Sequence, residues 1–117
     1  MARKGYKKYR SCKVEMDGVT FDSKREASRY LELKQMVKDG TIKDLVLQPS
    51  FELQEGFTNS KGKKVRPIIY KADFSYTDAD GQCVVEDVKG METKDFKLKR
   101  KMFDFKYGFK YDFRLVK

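Results

Sequence analysis

Three polar side chains lie on or just beyond two neighbouring predicted strands. The segments 68–76 and 82–88 read as strands, with Asp73 on the first, Asp87 on the second and Lys89 just beyond it. Side chains of a strand alternate between its faces, so Asp87 and Lys89 project to one side. The Asp-Gly turn between the strands folds Asp73 opposite or diagonal to Asp87. Paired carboxylates with open positions suit Mg²⁺ or Mn²⁺.

Such an ion polarises a phosphodiester and lowers the pKa of a bound water, while the Lys89 ammonium orients or activates that water. The absence of histidine supports this chemistry over its rivals. It excludes Ser-His-Asp and Cys-His nucleophiles, histidine-zinc hydrolases and nucleases with a histidine base. Cys12 and Cys83 form no CxxC pair, so we expect reduced thiols and no structural zinc site.

The positive charge is concentrated at the two ends of the chain. The net charge is +9; residues 1–13 carry six basic and no acidic side chains, residues 94–117 carry nine basic and three acidic ones, and the middle is acidic. Many phosphates would be drawn to such ends, although a merely soluble surface is the alternative. The candidate phosphate contacts are Arg3, Lys4, Lys7, Lys8 and Arg10 in a flexible basic arm at 1–12, and Lys94, Lys97, Lys99, Arg100 and Lys101 in a basic helix.

The elements that must position these residues follow from periodicity and turn signals. A hairpin at 13–21 turns at Asp17-Gly18, and a helix over 24–38 begins with the capping box of Ser23 and Glu26. One strand follows over 42–47, is interrupted at Gln48-Pro49 and resumes over 51–54. After it come a loop at 55–65, the strands 68–76 and 82–88, a helix over 93–107 and a strand at 111–116. The order is a β-hairpin followed by α-β-β-β-α-β, which predicts one mixed α/β domain over 13–117.

Spacing also predicts which side chains face the core. In the first helix the residues at helical spacing are Ala27, Tyr30, Leu31, Lys34 and Val37. The second helix turns Phe96, Leu98, Met102 and Phe103 inward. In the strand 68–76, alternation places Tyr70, Ala72, Phe74 and Tyr76 on one face, and Lys71, Asp73 and Ser75 on the other.

Several segments together resemble a known superfamily. They are FDSKREASRYLELK, LVLQPSFELQ, YKADFSY and VVEDVKG, with Lys71-Ala72-Asp73 and Glu86-Asp87-Val88-Lys89-Gly90 as the motif residues. Over about residues 14–117 the chain is similar to the PD-(D/E)XK, or restriction-endonuclease-like, superfamily, and more narrowly to small nucleases of bacteriophages and prophages. The resemblance implies an α-β-β-β-α-β core with a central mixed sheet flanked by helices. Ala72 stands where the superfamily usually has proline, and Asp87 where glutamate is commoner.

The resemblance implies a Mg²⁺- or Mn²⁺-dependent DNA endonuclease. Asp73 and Asp87 would bind the metal, Lys89 would serve the attacking water, and Glu26 would complete the acidic cluster, directly or through water. Glu26 alternatively only closes the helix cap, and Glu86 is the alternative ligand to Asp87. We favour Asp87, because Glu86 shares its face with hydrophobic neighbours and points away from Lys89. Selectivity for branched or junction DNA, in phage replication or recombination, follows from analogy alone.

The expected setting is the cytoplasm of a bacterial host cell, with DNA as the partner and a homodimer as the assembly. No run of 18 or more apolar residues predicts a membrane span, and the N-terminus leads into no apolar signal segment. Three rivals stay open. They are a DNA-binding module that keeps the fold without catalysis, an RNA-directed nuclease or RNA-binding protein whose tyrosines stack on bases, and a basic structural or regulatory protein.

Overall fold

The architecture is that of a computed structural model, which describes residues 13–117. The predicted basic arm at 1–12, with its five candidate phosphate contacts, lies outside the described residues. Within 13–117 the order is β1 (Val14–Met16), β2 (Val19–Phe21), α1 (Lys24–Lys38), β3 (Lys43–Leu47), β4 (Ser50–Gln54), β5 (Phe57–Thr58), β6 (Lys64–Val65), β7 (Ile68–Lys71), β8 (Phe74–Thr77), β9 (Cys83–Val88), α2 (Lys94–Tyr107) and β10 (Asp112–Val116).

A four-stranded mixed sheet, in the order β10-β9-β8-β3, lies at the centre. Strand β8 is antiparallel to both β3 and β9, and β10 runs parallel to β9 after the crossover through α2. Three two-stranded antiparallel sheets, β1-β2, β4-β7 and β5-β6, surround it. The predicted α/β class is therefore confirmed, with two helices and a mixed central sheet among the described residues.

Helix α1 occupies the predicted range because its first turn is capped. The Ser23 side chain accepts a hydrogen bond from the Glu26 backbone N–H at 3.1 Å. The predicted inward face is only partly correct, since Leu33 is buried with Ala27 and Tyr30. Leu31 and Val37 are 50% and 40% exposed. Leu31 lies one position off the buried row, and Val37 lies in the last turn of the helix. The Asp17 carboxylate holds the exposed Lys34 at the helix surface at 2.7 Å.

The predicted strand 68–76 is divided into β7 and β8, which belong to different sheets. Between them the Ala72 N–H donates to the Pro49 carbonyl and the Asp73 N–H to the Glu86 carbonyl. Alternation predicts that the aromatic side chains of 68–76 share one face. That prediction is wrong, because the two strands belong to different sheets. Tyr70 and Ala72 pack in one core cluster, whereas Phe74 and Tyr76 pack in the other. The interruption places Asp73 at a junction rather than inside a strand.

The core consists of two clusters separated by the central sheet. One cluster contains the buried residues of α1, and the other contains those of α2. Because side chains alternate along β9, Val84 and Val88 pack in the first cluster and Val85 packs in the second. Helix α2 buries Phe96 and Phe103 and half-buries Met102, as predicted. The prediction for Leu98 is wrong, because that side chain is 57% exposed. Within the described residues, no helix has the length and apolarity to cross a membrane.

Candidate metal centre

Asp73 is fixed at the junction of β7 and β8 by neighbouring backbone. Its N–H donates to the Glu86 carbonyl at 3.1 Å, and its carbonyl accepts from the Gln48 N–H at 2.9 Å. Its Oδ2 atom accepts from the Val88 N–H at 2.7 Å. Phe74 pairs with Glu86 in the β8-β9 register, so Asp73 stands opposite Asp87 one step beyond. The sheet thus brings together the two aspartates that the sequence singled out.

Asp87 is buried, with 1% of the residue exposed, on the α2 side of β9. Its Oδ2 atom accepts a short hydrogen bond from the Tyr70 hydroxyl. Its Oδ1 atom is also buried and has no hydrogen-bond partner among the described residues. A buried carboxylate oxygen without a donor costs free energy, so this atom marks a place that a cation or a proton would stabilise.

The pKa of Asp73 also indicates that a cation would stabilise the Asp73–Asp87 pair. Burial raises the pKa of Asp73 to about 8, and the adjacent charge of Asp87 adds to the rise. At that pKa Asp73 holds a proton near neutral pH. A protonated Asp73 can donate a hydrogen bond to Asp87, whose Oδ1 atom has no other donor among the described residues. A divalent cation stabilises both ionised forms at once, so it competes with that proton.

Lys89 lies on the same face as Asp87, as alternation predicted. Its Nζ is 3.5 Å from Asp87 Oδ1, which is an ion-pair distance beyond ordinary hydrogen-bond length. The Nζ also lies 5.0 Å from the centroid of the Phe96 ring, and the Lys89 N–H donates to the Val116 carbonyl. The ammonium is therefore held at the mouth of the site by weak contacts and is 35% exposed.

Glu26 faces the same site from α1, but it stands apart from the aspartate pair. Its Oε2 atom accepts from the Asp22 N–H at 3.3 Å, so the reciprocal half of the capping box is displaced by one residue from Ser23. Burial raises the pKa of Glu26, and the charge of Asp87 contributes in the same direction. Glu26 is near enough to sense the aspartates electrostatically, which fits a contact through water better than direct ligation.

Glu86 occupies the opposite side of the sheet. Its two carboxylate oxygens accept from Arg29 Nε and Nη2 at 2.9 and 2.7 Å, and the Tyr76 hydroxyl donates to one of them. These bonds raise the pKa of Arg29, and burial raises that of Tyr76 to about 12. Glu86 is thus a fully paired structural carboxylate. The structure separates it from Lys89, in agreement with our preference for Asp87.

A polar cavity of about 460 Å³ opens over the site. Asp73 and Lys89 line it, and Glu26 borders it from α1. Its other walls come from the β1-β2 hairpin and from the β3-β4 and β7-β8 connections, through Lys13, Thr20, Asp22, Gln48, Lys71 and Ala72. Buried Asp87 forms no part of this lining and lies behind Asp73 and Lys89.

The fit of these residues to a divalent ion depends on the two aspartates. Among residues 13–117, no three or more of the His, Cys, Asp and Glu side chains lie close enough together to hold a metal ion. Mg²⁺, however, commonly uses one or two carboxylates and completes its shell with waters and substrate phosphates. Asp73 and Asp87, whose buried Oδ1 atom accepts no hydrogen bond from the described residues, fit such a site. Glu26 is not a third direct ligand in this arrangement.

Sequence reasoning missed the residues that hold the pair in place. Tyr70 had been assigned only to a hydrophobic face, yet its hydroxyl binds Asp87. Gln48 lines the cavity; it adopts a positive φ of 53° and its side chain donates to the Thr20 carbonyl at 3.0 Å.

The basic helix α2 presents only part of its predicted charge to solvent. Lys99 lies 3.6 Å from Asp95, and Arg100 pairs with Asp104 and stacks on Phe113. Lys94, Lys97 and Lys101 are exposed and make no ion pair with any residue of 13–117. The structure therefore leaves the ammonium groups of these three predicted phosphate contacts without an ion pair within residues 13–117.

Comparison with known proteins gives one match. A family model described as "Protein of unknown function (DUF1064)" matches residues 6–116. No curated protein and no solved structure matches the chain.

Proposed function

This chain belongs to the DUF1064 family, and from that premise we propose that it is a metal-dependent DNA endonuclease with a restriction-endonuclease-like core. The observation that carries the proposal is the meeting of Asp73 and Asp87 at the ends of neighbouring strands, with Lys89 beside them at the mouth of a polar cavity. A buried carboxylate pair beside an ammonium has little value for stability alone, because both charges are desolvated. Such arrangements are concentrated at functional sites.

The topology supports the same assignment. The elements that build or flank the central sheet follow one another as α1-β3-β8-β9-α2-β10. That order is the α-β-β-β-α-β order of the PD-(D/E)XK superfamily, with β4 to β7 inserted between the first and second sheet strands. The two aspartates lie at the second and third strands of this order, where the resemblance places the metal ligands.

In the proposed site Asp73 and Asp87 hold Mg²⁺ or Mn²⁺. The bound ion supplies a Lewis acid at the phosphodiester and a lower pKa for the attacking water. Hydrolysis forms one bond from the water oxygen to phosphorus and breaks the bond from phosphorus to the sugar oxygen, which takes up a proton. Lys89 places positive charge beside the scissile phosphate and orients the water. The Tyr70 hydroxyl and the Val88 N–H fix the two carboxylates.

The surroundings of the cavity suit a DNA backbone. Lys13 and Lys71 line it together with Lys89, so three ammonium groups surround an opening with an acidic centre. Lys94 and Lys97, at the start of α2, are two further exposed ammonium groups. Such contacts position a duplex or branched DNA without reading its sequence. Preference for branched DNA stays a prediction from the family resemblance.

Digestion of linear, forked and four-way DNAs with Mg²⁺, Mn²⁺ or EDTA tests the proposal. We expect cleavage of at least one DNA form with metal, none with EDTA, and loss of cleavage in Asp73→Asn. Asp80→Asn, an exposed turn residue, is the matched control and should cut like the wild type. An absence of cleavage with every DNA and both metals would contradict the proposal.

The second candidate is a DNA-binding module without catalysis. The observation in its favour is the 3.5 Å ion pair of Lys89 with Asp87, in which the ammonium occupies part of the space that a metal would need. This module predicts DNA binding that is equal with Mn²⁺ and with EDTA, and no cutting. The RNA rival loses its motivation within 13–117, because all five tyrosines there are buried or half-buried.

A further inference from the structure

We propose that the apolar face of α2, with the adjoining surface of β4 and β7, binds a second copy of this chain. The face begins with a row on the helix. Leu98, Met102 and Phe105 are spaced by four and three residues, so they lie along one side of α2. Leu98 is 57% and Phe105 93% exposed, and Met102 is half-buried. Phe109, just past the helix, is 88% exposed.

A groove runs beside this row. Between α2 and β4 it encloses about 890 Å³ and is lined by Leu53, Met102 and Phe105 among others. A smaller groove of about 470 Å³ shares Met102 and continues to Ile69 and Leu98. Exposed apolar side chains gathered around a groove mark an interaction site, whereas single ones are ordinary.

The face carries both a protruding side chain and a groove, and this combination favours a second copy of the chain as the binding partner. The protruding Phe105 ring and the groove lie side by side on one surface. In a two-fold symmetric interface the same patch serves both partners, so a ring on one copy meets the groove of the other. A face that carries both features is therefore self-complementary, and an unrelated partner would not require this combination.

The charges at the rims of the groove agree with this arrangement. Glu52 and Glu55 lie on the β4 side, and Lys101 lies on the α2 side. None of the three makes an ion pair with another residue of 13–117. A two-fold axis through the groove brings the acidic rim of one copy against the basic rim of the other. The acidic rim also disfavours a nucleic-acid strand, whose phosphates it would repel.

The inference is independent of nuclease activity, and sedimentation equilibrium of the full chain tests it. We expect a concentration-dependent dimer for the wild type. Leu98→Glu and Phe105→Glu should each raise the dimer Kd at least about tenfold, because each buries a charge in the apolar centre of the interface. Leu31→Glu is the matched control on α1. It is similarly exposed, lies outside the face and should leave the Kd unchanged.

A charge exchange tests the orientation of the two copies. Lys101→Glu should weaken the dimer, and the double variant Lys101→Glu with Glu55→Lys should restore it, since the rims then face each other with reversed signs. Circular dichroism spectra check that each variant is folded; both positions are exposed, so the spectra should match that of the wild type. A double variant that is weaker than the single one would overturn the proposed pairing of the rims.

Three further results would overturn the dimer. The first is a wild type that stays monomeric at every concentration. The second is a dimer that persists in both folded glutamate variants, which would place the interface elsewhere. The third is an unchanged oligomeric state in Phe105→Glu together with a loss of affinity for a single-stranded oligonucleotide, which would make the face a base-stacking surface.

Discussion

Replacing Asp73 by asparagine should stabilise the metal-free protein while removing its metal site. The amide oxygen of the new side chain can still accept from the Val88 N–H, and its NH₂ group can donate to the unpaired Oδ1 atom of Asp87. The substitution also removes one of two buried carboxylates that repel each other. A residue that the fold would be more stable without is expected at a functional site.

The size of the effect follows from the pKa of Asp73, which rises from 3.8 to about 8 on folding. The folded state therefore keeps a proton that the unfolded chain releases near pH 4. Because folding raises this pKa, the free energy of unfolding falls as the pH rises from about 4 to about 8 and levels off above. A rise of about four units corresponds to at most ~6 kcal/mol. Solvent at the cavity mouth screens half-buried Asp73, so we expect about 2 to 3 kcal/mol.

Urea unfolding in EDTA at pH 5, 7 and 9 measures this contribution. The free energy of unfolding of the wild type should fall across the series relative to Asp73→Asn, and at pH 9 the variant should be more stable by about 2 to 3 kcal/mol. Asp80→Asn is the control and should follow the wild type at each pH. If Asp73→Asn were less stable than the wild type at pH 9, or if the two lost stability in parallel, the carboxylate repulsion inferred here would be wrong.

Three further predictions concern the same site and its support. Lys89→Met should lower cleavage at least about 100-fold and keep the stabilisation by Mn²⁺. The exposed control Lys64→Met should keep both cleavage and stabilisation; nuclease assays and thermal melts measure the two properties. Mn²⁺ at about 100 times its Kd should raise the free energy of unfolding of the wild type by about 2.7 kcal/mol, and a similar rise in Asp73→Asn would place the ion elsewhere. Arg29→Met should cost about 3 to 5 kcal/mol in urea unfolding because it leaves buried Glu86 unpaired, whereas exposed Arg66→Met should cost nothing measurable; equal losses would refute the structural role of the pair.

The sequence predicted best those elements whose signals are local. Helix α1 begins after Ser23 because the capping side chain and the N–H group that it accepts from lie three residues apart. The turn at 78–81 folds as expected because Asp78 accepts from the Asp80 and Gln82 N–H groups. The facing of Asp87 and Lys89 followed from alternation along one unbroken strand. These local rules were enough to predict that Asp73 and Asp87 lie close together.

The failures came from contacts between distant parts of the chain. No glycine or proline marks the break at Ala72. It arises because the carbonyl of Pro49, between β3 and β4, and the carbonyl of Glu86, in β9, supply the acceptors. Glu86 looked like an alternative ligand because Arg29, its partner, lies 57 residues away. Leu98 was assigned to the core by spacing alone, and spacing cannot distinguish a core face from an outer apolar face.

A Mn²⁺-soaked crystal, examined by anomalous diffraction at the manganese edge, tests the central claim without needing a substrate. We expect a peak between the carboxylates of Asp73 and Asp87, with Lys89 moved away from the Oδ1 atom, and no such peak in Asp73→Asn. An ordered Asp73–Asp87 pair that carries no peak at millimolar Mn²⁺, with the Lys89 ammonium still beside Asp87, would contradict the claim.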